Sequence, residues 1–456
     1  LKEDWQCGVY SMASRVWYAG NRSSSPNTSY VVMMLEAFEA AGFGEMIKPN
    51  DTVAIKLHCG EWNNTGYLRP VYARALADRI KELGGRPFVT DTTTMTYGPH
   101  NSRASELDIR MTAERNGFTS AALGCPFIVA DGWSGTDDVF VDLPEGHMLK
   151  EAYIAKAIAH ADVLIALTHF KGHPLGVVGG ALKNLGIGAQ SQRGKHNVHL
   201  GGHPKYGLGA ATAFHPERCK GKKCPVWELC DNCCPYGLFH VKEDTIEWER
   251  DRCTGCMGHL DINTWCGVLD FPREPFEMCQ PAIADACLAA MKAVGKDKVG
   301  FINMAIDLSP MCDCLGFSDT PLVPNLGVFA GTDPVAVDKA GLDKVRDAHG
   351  IPGSIAEDRD VADSGTKKFE TVSPVHPGMS EEVQINTGEL IGLGSREYEL
   401  LTVETPPEKF FGFPADTRPL QQRYASLYAK EVPFPFERYD GKGFKRADEG
   451  DYDTLK

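Results

Sequence analysis

The placing of its cysteines constrains this chain more than any other feature. Of fifteen cysteines in 456 residues, eight lie between Cys219 and Cys266. A disulfide framework tends to spread its cysteines along a chain, whereas thiols clustered at short spacings are typical of metal ligands in a reducing compartment. The sequence therefore predicts a small metal-binding region in the middle of the chain.

The spacing within this cluster is a distorted version of the two-cluster ferredoxin pattern. Such ferredoxins repeat C-x2-C-x2-C-x3-C-P, and the fourth cysteine of each run binds the other cluster. Residues 230–235 have the C-x3-C-P ending, and Cys253-x2-Cys256 has the beginning of a second run. The first run is stretched, and His259 stands where the third cysteine of the second run belongs.

This pattern predicts two sets of ligands for iron–sulfur clusters. Iron in these clusters prefers soft thiolates, and closely spaced cysteines can converge on one cubane. The first set consists of Cys219, Cys224, Cys230 and Cys266. The second set consists of Cys234, Cys253, Cys256 and either Cys233 or His259. The expected cofactor is one or two [4Fe-4S] clusters.

Structural zinc is the alternative cofactor. Cys230-x2-Cys233 and Cys253-x2-Cys256 have the spacing of a four-cysteine zinc ribbon. A ribbon leaves the other four cysteines without a role, which favours iron–sulfur clusters.

A second pair of cysteines, Cys312 and Cys314, lies apart from this cluster. The single residue between them places the two thiols close together. They are candidates for additional metal ligands or for a redox pair, and the alternative is that they are ordinary loop thiols.

On both sides of the cysteine-rich region, short apolar runs alternate with segments of helical periodicity. Strands are predicted at Val53–Leu57, Pro87–Thr90, Val163–Leu167, Val299–Asn303, Leu326–Ala330, Glu382–Asn386 and Glu399–Val403. Helices are predicted at Pro70–Leu83, Ser105–Asn116, Leu149–His160 and Ala282–Val294, and after the Asp333-Pro334 start signal. This alternation predicts an α/β fold with a mostly parallel open sheet and helices on both faces.

The same pattern suggests how the chain is divided. Residues 1–214 and 276–350 are expected to form the two parts of the α/β domain, and residues 215–275 a ferredoxin-like insert. Residues 351–456 are polar and rich in proline, so we expect an irregular C-terminal wrap.

Polar residues follow three of the predicted strands. Ligands of open parallel sheets bind beyond the carboxyl ends of the strands, so these residues are expected to share a crevice. The candidate catalytic residues are His58, Asp91, His169, Lys171 and His173. The candidate substrate-binding residues are Glu61 and, in a glycine-rich stretch that can approach an anion closely, Lys183, Asn184 and Lys195.

These segments together resemble an uncharacterised family of iron–sulfur-centre proteins known as domain of unknown function 362. The resemblance extends over roughly residues 15–345 and is carried by 56–70, Thr90-Asp91-Thr92, 169–173, 179–186, 312–314 and 332–338. Members often have a ferredoxin-like insert in the middle. The resemblance implies iron–sulfur redox chemistry and does not supply a substrate.

Composition narrows the choice of function. The formal net charge of −14 repels nucleic-acid phosphate, and no apolar run is long enough to span a bilayer. We therefore expect a cytoplasmic iron–sulfur oxidoreductase with a small-molecule substrate and a redox donor or acceptor. A leader removed before Leu1 is the alternative for location. A non-enzymatic electron carrier or cluster scaffold and a zinc-ribbon binding module are the alternatives for function.

Overall fold

A mixed sheet of eight strands forms the centre of the fold. The computed structural model describes residues 13–95, 101–207, 213–234, 236–253, 266–270, 272–373 and 375–404. The chain divides into two units, residues 1–406 and 407–456, and the second unit lies outside the described residues.

The strands and helices have the following bounds. The strands are β1 (Ser14–Ala19), β2 (Thr52–Lys56), β3 (Arg86–Asp91), β4 (Phe127–Val129), β5 (Asp138–Asp142), β6 (Glu151–Ala155), β7 (Val163–His169), β8 (Lys171–His173), β9 (Val177–Gly179), β10 (Ala213–Phe214), β11 (Phe239–Val241), β12 (Ile246–Trp248), β13 (Leu269–Asp270), β14 (Val299–Ala305), β15 (Gly327–Gly331) and β16 (Tyr398–Val403). The helices are α1 (Tyr30–Ala40), α2 (Pro70–Glu82), α3 (Glu106–Arg115), α4 (Ser120–Leu123), α5 (Lys156–Ala159), α6 (Ala181–Gly186), α7 (Gln192–Val198), α8 (Trp227–Asn232), α9 (Arg273–Val294), α10 (Pro334–Asp347), α11 (Ile355–Asp358), α12 (Lys368–Val372) and α13 (Val383–Leu390).

The central sheet is mostly parallel, as the sequence predicts. Its strand order is β16-β1-β15-β14-β7-β2-β3-β4, and β15 runs antiparallel to both of its neighbours while the other pairs are parallel. The carboxyl ends of β2, β3 and β7 therefore lie at one edge. The functional site is built at this edge.

Helices cover both faces of the sheet, and the alternation of side chains along the strands explains why. In β2, Val53 and Ile55 belong to the hydrophobic core shared with α1, α2 and α3. Ala54 points to the opposite face and joins the core that contains α6, α9 and α10. Strands buried on both faces read as continuous apolar runs, which is the pattern that revealed them in the sequence.

Two predicted elements are wrong. The segment predicted as the helix Leu149–His160 forms strand β6 followed by the short helix α5. Its residues 151–155 pair with β5 in an antiparallel hairpin, so tertiary pairing overrides a weak helical pattern. The segment predicted as the strand Glu382–Asn386 belongs to helix α13, whose buried residues Ile385 and Gly388 follow helical spacing.

Helix α6 is fixed at its start by a buried carboxylate. The backbone N–H groups of Ala181 and Leu182 donate to the two oxygens of Asp338 at 2.6 and 2.9 Å. A Cβ on Gly180 would lie 2.2 Å from the same carboxylate, so glycine is required there. Asp338 lies in α10, which begins at the predicted Asp333-Pro334 signal with Asp333 as its N-cap. This contact sets the direction in which α6 presents its side chains.

The cysteine-rich region is built from very short elements. Strands β10 and β13 form one two-stranded ladder, and β11 and β12 form another. Phe239, Ile246 and Leu269 join the main hydrophobic core, so the described part of this region is packed against the α/β part of the chain. Two of the predicted ligands, Cys256 and His259, lie outside the described residues. Among the described residues, no helix is long and apolar enough to cross a membrane.

Candidate functional site

The three strand ends open into one cavity of about 1080 Å³. The candidate residues that line it are His58, Asp91, His169, Lys171, His173, Lys183, Asn184 and Lys195. Lys56, Arg103, His199, Cys312 and Cys314 line it as well. The cavity thus collects histidines, lysines and a cysteine pair at the carboxyl edge of the sheet.

Asp313 is buried between the two cavity-lining cysteines, Cys312 and Cys314, and is held by several other residues. Its carboxylate accepts a hydrogen bond from Lys171 Nζ at 2.6 Å and lies 3.1 Å from His169 Nδ1. Its carbonyl oxygen accepts the N–H of Glu61 at 2.8 Å. Burial alone raises the pKa of Asp313, but His169 and Lys171 outweigh burial and hold the pKa well below its usual range. The loop that carries the cysteine pair is therefore fixed at its central residue.

The ring of His169 holds this loop and is not free to act as a base. Its Nδ1 faces the Asp313 carboxylate, and its Nε2 lies 2.8 Å from the carbonyl oxygen of Ile306. Both ring nitrogens thus face acceptors. The two neighbouring backbone segments are joined by a hydrogen bond from the N–H of Gly172 to the carbonyl oxygen of Ser309 at 3.0 Å.

A second buried ion pair joins the ends of β2 and β3. Lys56 Nζ lies 3.0 Å from Asp91 Oδ1 and also donates to Asn184 Oδ1 at 3.2 Å. The Asn184 amide in turn donates to Thr168 Oγ1 at 2.9 Å. Burial raises the pKa of Asp91, but the positive charges of Lys56 and Arg103 more than reverse this and keep the carboxyl ionised. Lys56 and Asn184 therefore serve to hold the wall together.

The third buried ion pair joins Arg103 and Glu61. Arg103 Nε donates to Glu61 Oε2 at 3.1 Å, and Glu61 also accepts the N–H groups of Trp62 and Ser102. Glu61 is fully buried behind Arg103 and does not line the cavity. Its position identifies it as the residue that orients Arg103, whose guanidinium faces the cavity.

The two remaining lysines differ in how they are held. Lys195 Nζ donates to Thr92 Oγ1 at 2.7 Å and to the carbonyl oxygen of Gln190 at 2.5 Å. Burial lowers its pKa to about 8. The ammonium group of Lys183 has no hydrogen bond or ion pair with any residue in the described part of the chain. Burial, followed by the positive charges of Lys171 and Arg103, lowers its pKa to about 7.

Three histidines keep neutral rings in the cavity wall. Burial lowers the pKa of His58 and of His173 well below the usual range, and lowers that of His199 to about 4. In His58 and His173, Nδ1 accepts backbone N–H groups, from Gly60 and from Leu175 and Gly176. The proton of each neutral ring therefore lies on Nε2. The Nδ1 of His199 instead lies 2.6 Å from the carbonyl oxygen of Lys195, so its proton lies on Nδ1.

A group with the spacing of a metal site lies on the same wall. The ligand atoms of His173, Cys312 and Cys314 lie within 4.8 Å of one another. The two sulfurs are joined as a disulfide, and His173 Nε2 lies 3.9 Å from Cys314 Sγ. This arrangement can serve either metal binding or thiol chemistry.

Four thiols of the cysteine-rich region come together. Burial, followed by the nearby thiols of Cys266, Cys224 and Cys219, raises the pKa of Cys230 to about 11. The pKa of Cys219 is likewise raised by burial and then by Cys266 and Cys224. These four cysteines are the first ligand set that the spacing predicts. In the second set, Cys233 is buried in the hydrophobic core, while Cys234 and Cys253 are partly exposed.

The site contains functional residues that the sequence argument did not select. Lys56 lies inside the predicted strand Val53–Leu57 and ends the observed strand β2, so selecting the residues that follow predicted strands, as for Asp91, passed over it. Asp313 lies between the two selected cysteines, and its ion pair with Lys171 spans 142 positions. No sequence signal indicated Arg103 or His199, because each reaches the cavity from a segment without a motif.

Comparisons with known proteins identify a matching family model and a similar solved structure. A family model described as Domain of unknown function (DUF362) matches residues 53–343. None of the curated proteins matches the chain. Among solved structures, the lactate racemase apoprotein from Thermoanaerobacterium thermosaccharolyticum is similar at 12% identity with a TM-score of 0.38, over 86% of this chain and 83% of that one.

Proposed function

The chain belongs to the family described as Domain of unknown function (DUF362), and we propose that it is an iron–sulfur oxidoreductase whose cavity binds a small anionic substrate. The observation that carries this proposal is the convergence of Cys219, Cys224, Cys230 and Cys266. When bound, an iron–sulfur cluster supplies one-electron transfer. The four cysteines are its proposed ligands, and Cys234, Cys253, Cys256 and Cys233 or His259 are proposed for a second cluster.

The spacing of the four thiols of the first set favours a cluster over a zinc ion bound by the same four cysteines. With Zn–S bonds of about 2.3 Å, a tetrahedral zinc ion holds its thiolates roughly 4 Å apart. Within the described residues, His173, Cys312 and Cys314 form the one group of three or more ligand atoms that lie within 4.8 Å of one another. The four thiols of the first set interact electrostatically at wider spacing, as the ligands of a larger cubane do.

The position of the insert in the chain supports electron transfer between its clusters and a substrate in the cavity. His199 lies shortly before the insert in the chain and Phe276 directly after it, and both line the cavity. The chain thus enters and leaves the insert from segments that line the cavity, which supports short electron-transfer distances to a substrate bound there.

The charges of the cavity favour an anionic substrate. Three of its cations have buried counter-ions, which are Asp91 for Lys56, Asp313 for Lys171 and Glu61 for Arg103. In the described part of the chain, Lys183 has no such partner. An anion such as a carboxylate would complete this set, with Lys183 as its main contact and Lys195 deeper in the wall.

Metal analysis of protein purified without oxygen tests the proposal. We expect brown protein with iron and acid-labile sulfide in similar amounts, and loss of the iron bound by the first set in Cys230→Ser. Cys125→Ser is the matched control, because Cys125 is a buried cysteine outside the insert. Colourless protein with one equivalent of zinc would contradict the proposal and support the zinc ribbon.

A further inference from the structure

We propose that Cys312 and Cys314 form a thiol–disulfide exchange centre that acts on a low-molecular-weight disulfide in the cavity. The two sulfurs are joined, their Cα atoms are 5.3 Å apart, and both residues line the cavity. This inference goes beyond the proposed function, because it requires neither the clusters nor an anion at Lys183.

The disulfide contributes little to the stability of the fold. A disulfide stabilises mainly by closing a loop in the unfolded chain, and this effect grows with the length of the loop. Here the loop contains one residue, Asp313. That residue is already held by Lys171, His169 and the N–H of Glu61. The two sulfurs therefore remain side by side when the bond is open, which is what repeated exchange requires.

The two cysteines differ in their access to the cavity. Cys312 is 2% exposed, whereas Cys314 is half-buried. Exchange centres use an accessible thiolate as the nucleophile and a protected thiol to resolve the intermediate. We assign Cys314 as the nucleophile and Cys312 as the resolving cysteine.

His173 is placed to assist the nucleophile. Its Nδ1 accepts the N–H groups of Leu175 and Gly176, so Nε2 carries the proton and points toward Cys314 Sγ at 3.9 Å. A histidine that binds metal usually donates the N–H of its other ring nitrogen, whereas here the other nitrogen accepts. The ring orientation thus favours a hydrogen bond to a Cys314 thiolate over metal ligation.

The proposed thiol–disulfide exchange proceeds in two steps. The Cys314 thiolate attacks one sulfur of the substrate disulfide, forms a mixed disulfide and releases the first thiolate. The thiolate of Cys312 then attacks Cys314 Sγ, forms the Cys312–Cys314 bond and releases the second thiolate. The two protons lost by the protein thiols are taken up by the two released thiolates. The substrate disulfide is reduced by two electrons, and the protein dithiol is oxidised by two.

The chain offers a direct way to measure this exchange. Residues 299–338 contain no lysine or arginine, and their only cysteines are Cys312 and Cys314. One tryptic peptide therefore reports on this pair alone. The full-length protein is equilibrated with mixtures of reduced and oxidised dithiothreitol, alkylated, digested and analysed by mass spectrometry. We expect both cysteines to change together in a single two-electron transition.

Variants test the assigned roles. With a small aromatic disulfide as the probe, Cys312→Ser should accumulate a mixed disulfide on Cys314, and Cys314→Ser should leave Cys312 unmodified. His173→Phe should slow formation of the mixed disulfide about tenfold, and His173→Gln, which keeps an N–H donor, should restore most of the rate. A rate equally low in both His173 variants would overturn the role of His173 as a donor.

Two outcomes of the titration would overturn the proposal itself. One is a pair that stays reduced, or stays oxidised, across the whole series of mixtures. The other is a reduced protein in which both cysteines resist alkylation until a chelator is added, because this would identify them as metal ligands.

Discussion

The wall of the cavity and the cysteine-rich insert are held together in different ways. Around the cavity, buried carboxylates are each paired with a lysine or an arginine from a distant part of the chain, such as Asp313 with Lys171. The insert has two small ladders, β10–β13 and β11–β12, and a helix of six residues. Several of its cysteines are partly exposed, and Cys266 is exposed.

This difference indicates what stabilises the folded structure of each region. The cavity is preorganised by its own side chains, because each buried charge would be costly without its partner. The insert has too little core to be stable alone, and regions of this kind usually depend on bound metal for their structure. The three predictions below test this contrast, from the largest expected effect to the smallest.

The largest effect is expected from removing one partner of a buried ion pair. Asp313→Asn leaves the ammonium of Lys171 buried without its counter-ion. Breaking such a pair from one side costs about 3–5 kcal/mol. We therefore expect the free energy of unfolding, measured by urea denaturation, to fall by about that amount.

An exposed ion pair provides the control for this variant. Arg74 and Asp78 form an i,i+4 pair on α2, with both side chains 43% exposed. Pairs of this kind are worth about 0–1 kcal/mol. Asp78→Asn should therefore have little effect, and similar losses in Asp78→Asn and Asp313→Asn would show that the cavity wall does not depend on its buried pairs.

The second prediction concerns removal of metal from the whole protein. Chelation under reducing conditions should open the insert and leave the central sheet intact, because binding energy is folding energy for a metal-dependent region. Hydrogen exchange of the amides in β11 and β12 should accelerate about 100-fold or more, which corresponds to about 2.7 kcal/mol. Exchange in β7 and β14 should stay within a factor of two.

Equal acceleration in both regions would contradict the contrast, because it would show that metal stabilises the entire fold. Unchanged exchange in β11 and β12 would show that the insert is stable without metal. The Cys230→Ser variant repeats the test without chelator and is expected to affect the same amides.

The sequence predicts most of the central fold because its strands are buried on both faces. Val163–Leu167 and Val299–Asn303 are continuous apolar runs, and they lie within β7 and β14. The two wrong elements have weaker local signals. Residues 151–155 are held as a strand by β5, and Gln384 anchors α13 by donating to the carbonyl oxygens of Gly176 and Val178. The partners of Gln384 lie 208 and 206 positions away in the sequence, whereas β5 ends only nine positions before β6 begins.

The candidate site shows the same division between local and long-range information. Position after a predicted strand selected Asp91, which directly follows Pro87–Thr90, and Lys171, which lies four positions after Val163–Leu167, and both line the cavity. It could not select Asp313, the partner of Lys171, because Asp313 lies 142 positions further along the chain, beyond the insert. It also assigned Glu61 to substrate binding, whereas the residue that faces the cavity there is Arg103.

The last prediction concerns Lys183, the cavity lysine whose ammonium has neither an ion pair nor a hydrogen bond among the described residues. Its pKa is lowered to about 7 by burial and by Lys171 and Arg103, so it is charged below pH 7 and becomes neutral as the pH rises. An anion binds the charged form, so affinity should be greatest below pH 7 and fall up to tenfold per pH unit above it. Calorimetry with sulfate from pH 6 to 9 measures this fall, because sulfate keeps its charge throughout. The Lys183→Arg variant stays charged, so its affinity for sulfate should change little near pH 7. A smaller fall in affinity should remain near pH 8, where Lys195 loses its proton. A wild-type affinity that does not change between pH 6 and 8 would show that Lys183 is not the residue that holds the anion.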